Sequence, residues 1–263
     1  MRLVTWNINS VRLRMPIIAK LAKEERPDVI CLQETKVMDD LFPVADIEAL
    51  GYHHLAYSGM KSYNGVAILS RLPFIRTEMK EWCGKNDCRH ISVTFESGIE
   101  LHNFYVPAGG DVPNSEVNEK FAHKLQFLDE MAAWFATMPS KQSSRILVGD
   151  LNIAPLETDV WSHKQLLKVV SHTPIEIEKL EAIKETLKWV DVIRHFIPGE
   201  ERVYSWWSYR SRDWDASDRG RRLDHVWITP ALEKNLKSAC ILRKARNWEK
   251  PSDHVPVIVQ FYA

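Results

Sequence analysis

Cysteine is scarce in this sequence: four residues, Cys31, Cys83, Cys88 and Cys240, among 263. They are too few to staple a fold with disulfides, and their spacing pairs none of them as zinc ligands. A reducing cytoplasm suits such a chain. No apolar run approaches membrane-spanning length, so no membrane partner is expected. The start, Met1-Arg2-Leu3-Val4-Thr5-Trp6, lacks the basic region, long apolar stretch and small-residue cleavage site of a signal peptide. No Ser/Gly-rich linker, low-complexity tract or repeat divides the chain. Net charge is also missing, with 35 basic residues balancing 35 acidic ones, so overall charge announces no nucleic-acid partner.

What is present is a chain able to bury a large core, 45% hydrophobic and 27% charged. Layered α/β folds reach this length as one unit, so residues 1–263 are expected to form a single domain. Charge is unevenly distributed. Residues 202–222 hold six arginines against three aspartates, whereas 39–50 hold Asp39, Asp40, Asp46 and Glu48 with no base, so one face can still be basic.

Short β-rich runs recur at 3–6, 28–33, 65–70, 91–96, 100–106, 145–149, 222–229 and 255–261. Several are apolar at consecutive positions, as in strands covered on both faces. A helix over 115–138 is predicted by the stripe Val117, Phe121, Leu125, Leu128, Met131 and Phe135. A second begins at Thr173-Pro174-Ile175-Glu176, a capping box with proline at the first helical position. An earlier one, over 15–25, ends before Pro27. Hairpin-length and helix-length connections together predict packed sheets with helices outside, a layered α/β sandwich.

Polar residues appear where apolar strands end: Asn7, Glu34, Tyr105 and Asp150. Loops held by a sheet edge are where binding groups gather. Singly, Glu34 or Asp150 reads as a strand-end residue bonded to backbone. As a set, Asn7, Glu34, Asp150, Asn152 and Asp253 are oxygen-rich and free of cysteine, which suits Mg²⁺ or Mn²⁺ better than zinc.

In Gly149-Asp150-Leu151-Asn152 a strand-breaking glycine precedes two polar residues flanking one that can point into the core. Asp150 can hold or deprotonate a water and Asn152 can donate to a phosphate oxygen; an Asx turn is an equal reading. Asp253-His254 precedes the last strand, and Asp224 begins another that can bring a carboxylate to the imidazole. A histidine so steered can stabilise an anionic phosphate or take a proton from water. His225 competes for that role, but alternation aims it at the opposite face. The segment from Tyr204 to Trp214, with Trp206, Trp207 and Arg210, interleaves rings with arginines and suits DNA, although half of such rings are ordinarily core.

Together these motifs resemble the exonuclease III branch of the endonuclease, exonuclease and phosphatase superfamily, which includes abasic-site endonucleases of base-excision repair. The resemblance rests on Thr5-Trp6-Asn7-Ile8-Asn9-Ser10, Leu32-Gln33-Glu34-Thr35-Lys36, Tyr105-Val106-Pro107, Gly149-Asp150-Leu151-Asn152-Ile153-Ala154-Pro155, Arg222-Leu223-Asp224-His225 and Ser252-Asp253-His254-Val255-Pro256. It implies a four-layer α/β sandwich of two sheets flanked by helices, as in DNase I.

It further implies Glu34 as a Mg²⁺ ligand with Asn7 and Asp253 around the ion, and Asp150, Asn152 and His254 close enough to share in metal binding. Asp150 would align the water or serve the leaving oxygen, Asn152 and Tyr105 would contact the phosphate, and Asp224 would orient His254. Either Asp150 or His254 can be argued as the base, and one metal or two. Trp206, Trp207, Arg210, Arg221 and Leu223 would form the DNA-binding surface. Ala108 and Arg221 depart from the pattern, which carries an amide and, in eukaryotic relatives, an aromatic at these positions.

The implied activity is incision 5′ to abasic sites in duplex DNA, with 3′-to-5′ exonuclease and 3′-phosphatase action on 3′-blocked ends, by a monomer. Lipid phosphatases and sphingomyelinases share the core but lack a reason for the Trp/Arg block. Nonspecific DNases of this type carry signal sequences and disulfides. A binding protein without turnover would have lost a central group, and none of Glu34, Asp150, Asn152, Asp224 or His254 is lost.

Overall fold

The computed structural model describes residues 1–139 and 143–262. Strands β1 (Arg2–Asn7), β2 (Val29–Gln33), β3 (His54–Ser58) and β4 (Val66–Ser70) build one six-stranded sheet with β13 (Leu236–Ile241) and β14 (Val257–Phe261). The other contains β5 (Phe74–Met79), β6 (His90–Phe95), β7 (Glu100–Tyr105), β8 (Arg145–Asp150), β9 (Val190–Asp191) and β12 (Asp224–Ile228). Their orders are β13-β14-β1-β2-β4-β3 and β5-β6-β7-β8-β12-β9; a ribbon, β10 (Trp206–Trp207) with β11 (Gly220–Arg221), stands apart. Helices α1 (Met15–Glu24), α3 (Glu119–Ala136) and α5 (Pro174–Thr186) are the long ones; α2 (Val44–Ala49), α4 (His163–Leu166), α6 (Val192–Phe196) and α7 (Trp214–Ser217) are short.

Alternation along the strands makes the layers. Leu3, Val29, Ile68, Ile91 and Val148 meet between the sheets. Val4, Trp6, Ile30 and Leu32, one position along, pack on Ile18 and Leu21 of α1. Phe104, Leu147 and Trp227 pack on Phe127 and Phe135 of α3 and Leu180 and Ile183 of α5. The predicted four-layer sandwich is therefore the observed one, and each central strand is buried along nearly its whole length because both its faces are covered.

Differences from the pattern-based reading fall at element ends and sheet edges. Helix α3 begins at Glu119, because the Asn118 side chain accepts from the Lys120 amide and caps it there. Val117 is thus outside the helix and 74% exposed, Leu125 is half-buried, and the inward stripe includes Lys124 and Phe127. The Thr173–Glu176 capping box of α5 forms as predicted. All four edge strands, β13, β3, β5 and β9, were absent from the predicted runs. Edge strands are half-solvated or short, so they carry no continuous apolar signal. Gly149 does not break its strand. It lies within β8 opposite Phe104 of β7, where a Cβ would stand 1.9 Å from the Phe104 carbonyl oxygen, so it permits close pairing.

Candidate active site

Strand direction gathers the polar residues. β1 and β2 are parallel, as are β7 and β8, so Asn7, Glu34, Tyr105 and Asp150 stand at the same end of their sheets. β12 and β14 run antiparallel to β8 and β1, so their starts, with Asp224 and Asp253-His254, reach that same end. Asp224 is the cross-strand partner of Asp150. Glu34 and Asn152 turn away from their strands at φ +52° and +54°, a left-handed conformation uncommon outside glycine and asparagine.

The Asn7 amide donates to Glu34 Oε1 at 2.8 Å and to Asp150 Oδ2 at 2.9 Å, bridging carboxylates from the two sheets. His254 Nδ1 lies 2.8 Å from Asp224 Oδ2, and its Nε2 lies 3.6 Å from Asp150 Oδ2. Ser205 Oγ donates to Asp224 Oδ2 at 2.6 Å while accepting from the Leu223 and Asp224 amides. Trp6 Nε1 fixes the His254 carbonyl at 3.0 Å. Lys36 Nζ sits 2.8 Å from Glu34 Oε2 and 2.6 Å from Asn9 Oδ1, and Asn9 Nδ2 donates to Asp253 Oδ1.

Burial and charge decide the protonation states. Burial alone would neutralise His254, but Asp224 and Asp150 override it and hold the imidazole protonated well above its ordinary range. Burial, with the Asp224 and Glu34 charges, pushes the Asp150 carboxyl upward against the lowering pull of His254 and Asn7. Glu34 goes the other way: burial opposes its ionisation, yet Lys36 and Asn7 bring it below the usual carboxylate value. Burial and the Glu34 and Asp150 charges raise Tyr105, which stays a neutral phenol and hence a donor.

Several residues expected around the metal have protein partners. Asn7 turns its donor, not its oxygen, toward the carboxylates. Both nitrogens of His254 face carboxylates, Nδ1 at 2.8 Å from Asp224 and Nε2 at 3.6 Å from Asp150. Asp253 accepts Trp206 Nε1 at 2.9 Å and Asn9 Nδ2 at 3.2 Å, and Asn152 Nδ2 donates to the Val106 carbonyl. Among the described residues, Asp150, Asp224 and His254 alone bring three candidate ligand atoms within 4.8 Å, and their spacing is that of an Asp224–His254 hydrogen bond with Asp150 at ion-pair distance from the other ring nitrogen. Glu34, ionised and already facing the Lys36 ammonium, with Asp150 across Asn7, is the donor set that fits a hard, oxygen-bound divalent ion.

A cavity of about 750 Å³ opens over this floor, lined by Glu34, Tyr105, Asn152, Asp253 and His254. Trp161, Val169, Trp206 and Leu223 form an apolar wall, and Arg210, Arg219 and Arg221 form the rim. Arg221 lies over the Trp206 ring at 5.3 Å and donates to Ser171 Oγ and the Val170 carbonyl. Ala108 lines the cavity without a polar side chain. Trp207 does not belong to this surface. Alternation along β10 turns it to the far side, 1% exposed against Tyr204, Trp214 and Val255, with Nε1 on Asp218. Sequence reasoning gave no role to Lys36, Ser205, Asn9 and Trp161. Lys36 was findable as the charge two residues after Glu34, whereas Ser205 and Trp161 carry no local signal.

A family model described as the Endonuclease/Exonuclease/phosphatase family matches residues 4–254. The chain belongs to that family. Among members of the endonuclease, exonuclease and phosphatase family, exodeoxyribonuclease III of Haemophilus influenzae is 30% identical over 99% of this chain and 100% of its own length. An AP endonuclease from Archaeoglobus fulgidus superposes with a TM-score of 0.93 at 34% identity, covering 100% of both chains. A 3′ phosphatase from Neisseria bound to product DNA hairpin superposes with a TM-score of 0.91 at 29% identity, also covering 100% of both. No helix among the described residues is long and apolar enough to cross a membrane.

Proposed function

We propose that the chain is a divalent-metal-dependent DNA-repair phosphodiesterase that incises duplex DNA 5′ to an abasic site, leaving a 3′-hydroxyl, and also trims 3′ ends and removes 3′-phosphates. The observation that carries this reading is the joint placement of the Asp150–His254–Asp224 relay and Glu34 under a cavity with an apolar wall and an arginine rim. The relay suits a phosphate that gains charge during attack, the wall suits a deoxyribose without a base, and the rim suits the backbone. Relatives named as an exodeoxyribonuclease III, an AP endonuclease and a DNA-bound 3′ phosphatase support the same chemistry.

In this mechanism His254, protonated on both nitrogens, cannot be the base, and the role falls to Asp150. Asp150 orients a water and takes its proton, Tyr105 and Asn152 donate to non-bridging phosphate oxygens, and the His254 imidazolium stabilises the charge on the five-coordinate phosphorus. Mg²⁺, or Mn²⁺ in its place, held by Glu34 with Asp150 nearby, would supply Lewis-acid stabilisation of phosphate charge. Trp206 and Leu223 would receive the abasic sugar while Arg210 and Arg221 hold the flanking strand. Residues 1–263 would act as one domain, as a monomer in the cytoplasm.

End-labelled duplexes with and without an abasic site, incubated with Mg²⁺ or EDTA, test this directly. Internal incision confined to the abasic strand, beside 3′-end trimming of both duplexes, is expected, all of it dependent on Mg²⁺. Equal internal cutting of intact duplex would sink the repair assignment, and cutting in EDTA would sink the metal requirement.

A further inference from the structure

The inward stripe of α3 contains one charged residue. Lys124 is fully buried, and its three ammonium hydrogens have three acceptors: Glu176 Oε1 at 2.5 Å, the Asn152 carbonyl at 2.8 Å and the Ala108 carbonyl at 3.4 Å. Glu176, also fully buried, accepts from the Ser171 amide at 2.9 Å, the Thr173 amide at 3.1 Å and Thr173 Oγ1 at 2.6 Å. Ser171 Oγ in turn accepts from Arg221 at 2.7 Å. Gly109 rests directly on the lysine stem, where a Cβ would stand 2.9 Å from Lys124 Cδ.

Stability does not account for this pair. Two charges withdrawn from water lose hydration that their attraction barely repays, and apolar replacements of similar volume commonly serve folding as well. A methionine has a similar length and could occupy the same inward position on α3. What it could not do is hold the Asn152 and Ala108 carbonyls. Anchoring those oxygens beneath the floor fixes Asn152, a cavity-lining residue held in the left-handed region.

We propose that Lys124 and Glu176 are a buried positioning pair for the phosphate end of the cleft. Lys124 sets Asn152 and the 108–110 turn, and Glu176 sets the Ser171–Arg221 wall. Neither lines the cavity, so both act through the residues they hold. The inference rests on the nuclease reading above.

The test compares wild type, Glu176→Gln, and Glu176→Gln combined with Lys124→Met or with Lys124→Gln, on abasic and 3′-phosphate duplexes. Rates are taken per folded molecule from tryptophan emission. Glu176→Gln keeps one acceptor but sets its amide N–H groups against the Lys124 ammonium or the Ser171 and Thr173 donors, so kcat should fall about three- to tenfold with KM for DNA within about threefold. Adding Lys124→Met should lower kcat about 10- to 100-fold relative to wild type with KM again within about threefold, as misplacement of an intact group does. The Lys124→Gln combination, with a donor for one carbonyl, should fall between them. Variants that all stay within about threefold of wild type would overturn the inference. If the methionine variant does not fold, the glutamine variant decides: a kcat loss of about threefold or more supports the pair's role and a smaller one overturns it. An inactive wild type would sink the functional reading and this inference with it, whereas active wild type beside equally active doubles sinks this inference alone.

Discussion

Replacing Asp224 with asparagine preserves the shape of a buried side chain and removes the charge that keeps His254 protonated. Burial works against the imidazolium, and Asp224, 2.8 Å away, is the largest influence raising the ring to about 10 from its ordinary 6.5. That difference corresponds to about 5 kcal/mol favouring the charged ring. Without Asp224, burial is opposed only by the Asp150 and Asp253 charges, so the imidazole falls toward its ordinary range. A ring back at that value would be about a tenth protonated at about pH 7.5, so incision should slow by up to about tenfold, and by up to about 10⁴-fold if the ring also turns. Single-turnover incision between about pH 5.5 and 8.5, with an NMR titration of the His254 Cε1 proton, measures both effects. The ratio of variant to wild-type rate should rise as pH falls below the ordinary histidine value. A ratio flat across that window, or a His254 resonance still titrating far above neutrality in the variant, would refute the reasoning.

Other substitutions separate the remaining roles. Asp150→Ala should reduce kcat more than about 100-fold while the Kd for abasic duplex stays within about threefold, because its interaction is strongest in the transition state. Glu34→Gln should raise the Mg²⁺ concentration for half-maximal activity at least about tenfold and weaken Mg²⁺ binding by calorimetry equally. Trp207→Ala should cost about 3–5 kcal/mol in chemical denaturation yet leave abasic selectivity intact, whereas Trp206→Ala should do the reverse. Asp159 is held down to about 2 because Arg222 and Arg194 outweigh its burial. Its folded value lies below the unfolded 3.8, so the stability it contributes, about 2 kcal/mol, is complete above that value and is lost as pH falls through about 2. Acid titration of Asp159→Asn, destabilised by about 3–5 kcal/mol at neutral pH, should lack that loss.

Most of the site was legible because strand ends announce themselves: an apolar run that stops at Asn7, Glu34, Tyr105 or Asp150 places each residue at a sheet edge before the sheets are known. The same reading predicted the layers, since several strands buried on both faces, such as β2 and β4, are apolar at consecutive positions. Where a residue turns within a loop, sequence carries less. Asn7 and Asp253 look like ligands by residue type, and only tertiary contacts show that one bridges two carboxylates through its amide and the other accepts from Trp206 and Asn9. Trp206 and Trp207 are chemically identical neighbours, and a two-residue ribbon decides which faces the cavity. Lys124 was missed altogether: the predicted stripe ran through Leu125 beside it, and nothing local revealed that Lys124 turns inward to Glu176 and two carbonyls.

The central claim, hydrolysis at the Glu34–Asp150 cleft, is tested most directly by single-turnover incision of an abasic duplex in ¹⁸O-labelled water with Mg²⁺. Attack by water on phosphorus, with departure of the 3′-oxygen, predicts one ¹⁸O atom in the 5′-deoxyribose phosphate and a free 3′-hydroxyl on the upstream fragment. Incision without isotope in the phosphate, or with an unsaturated sugar on the 3′ end, would contradict it.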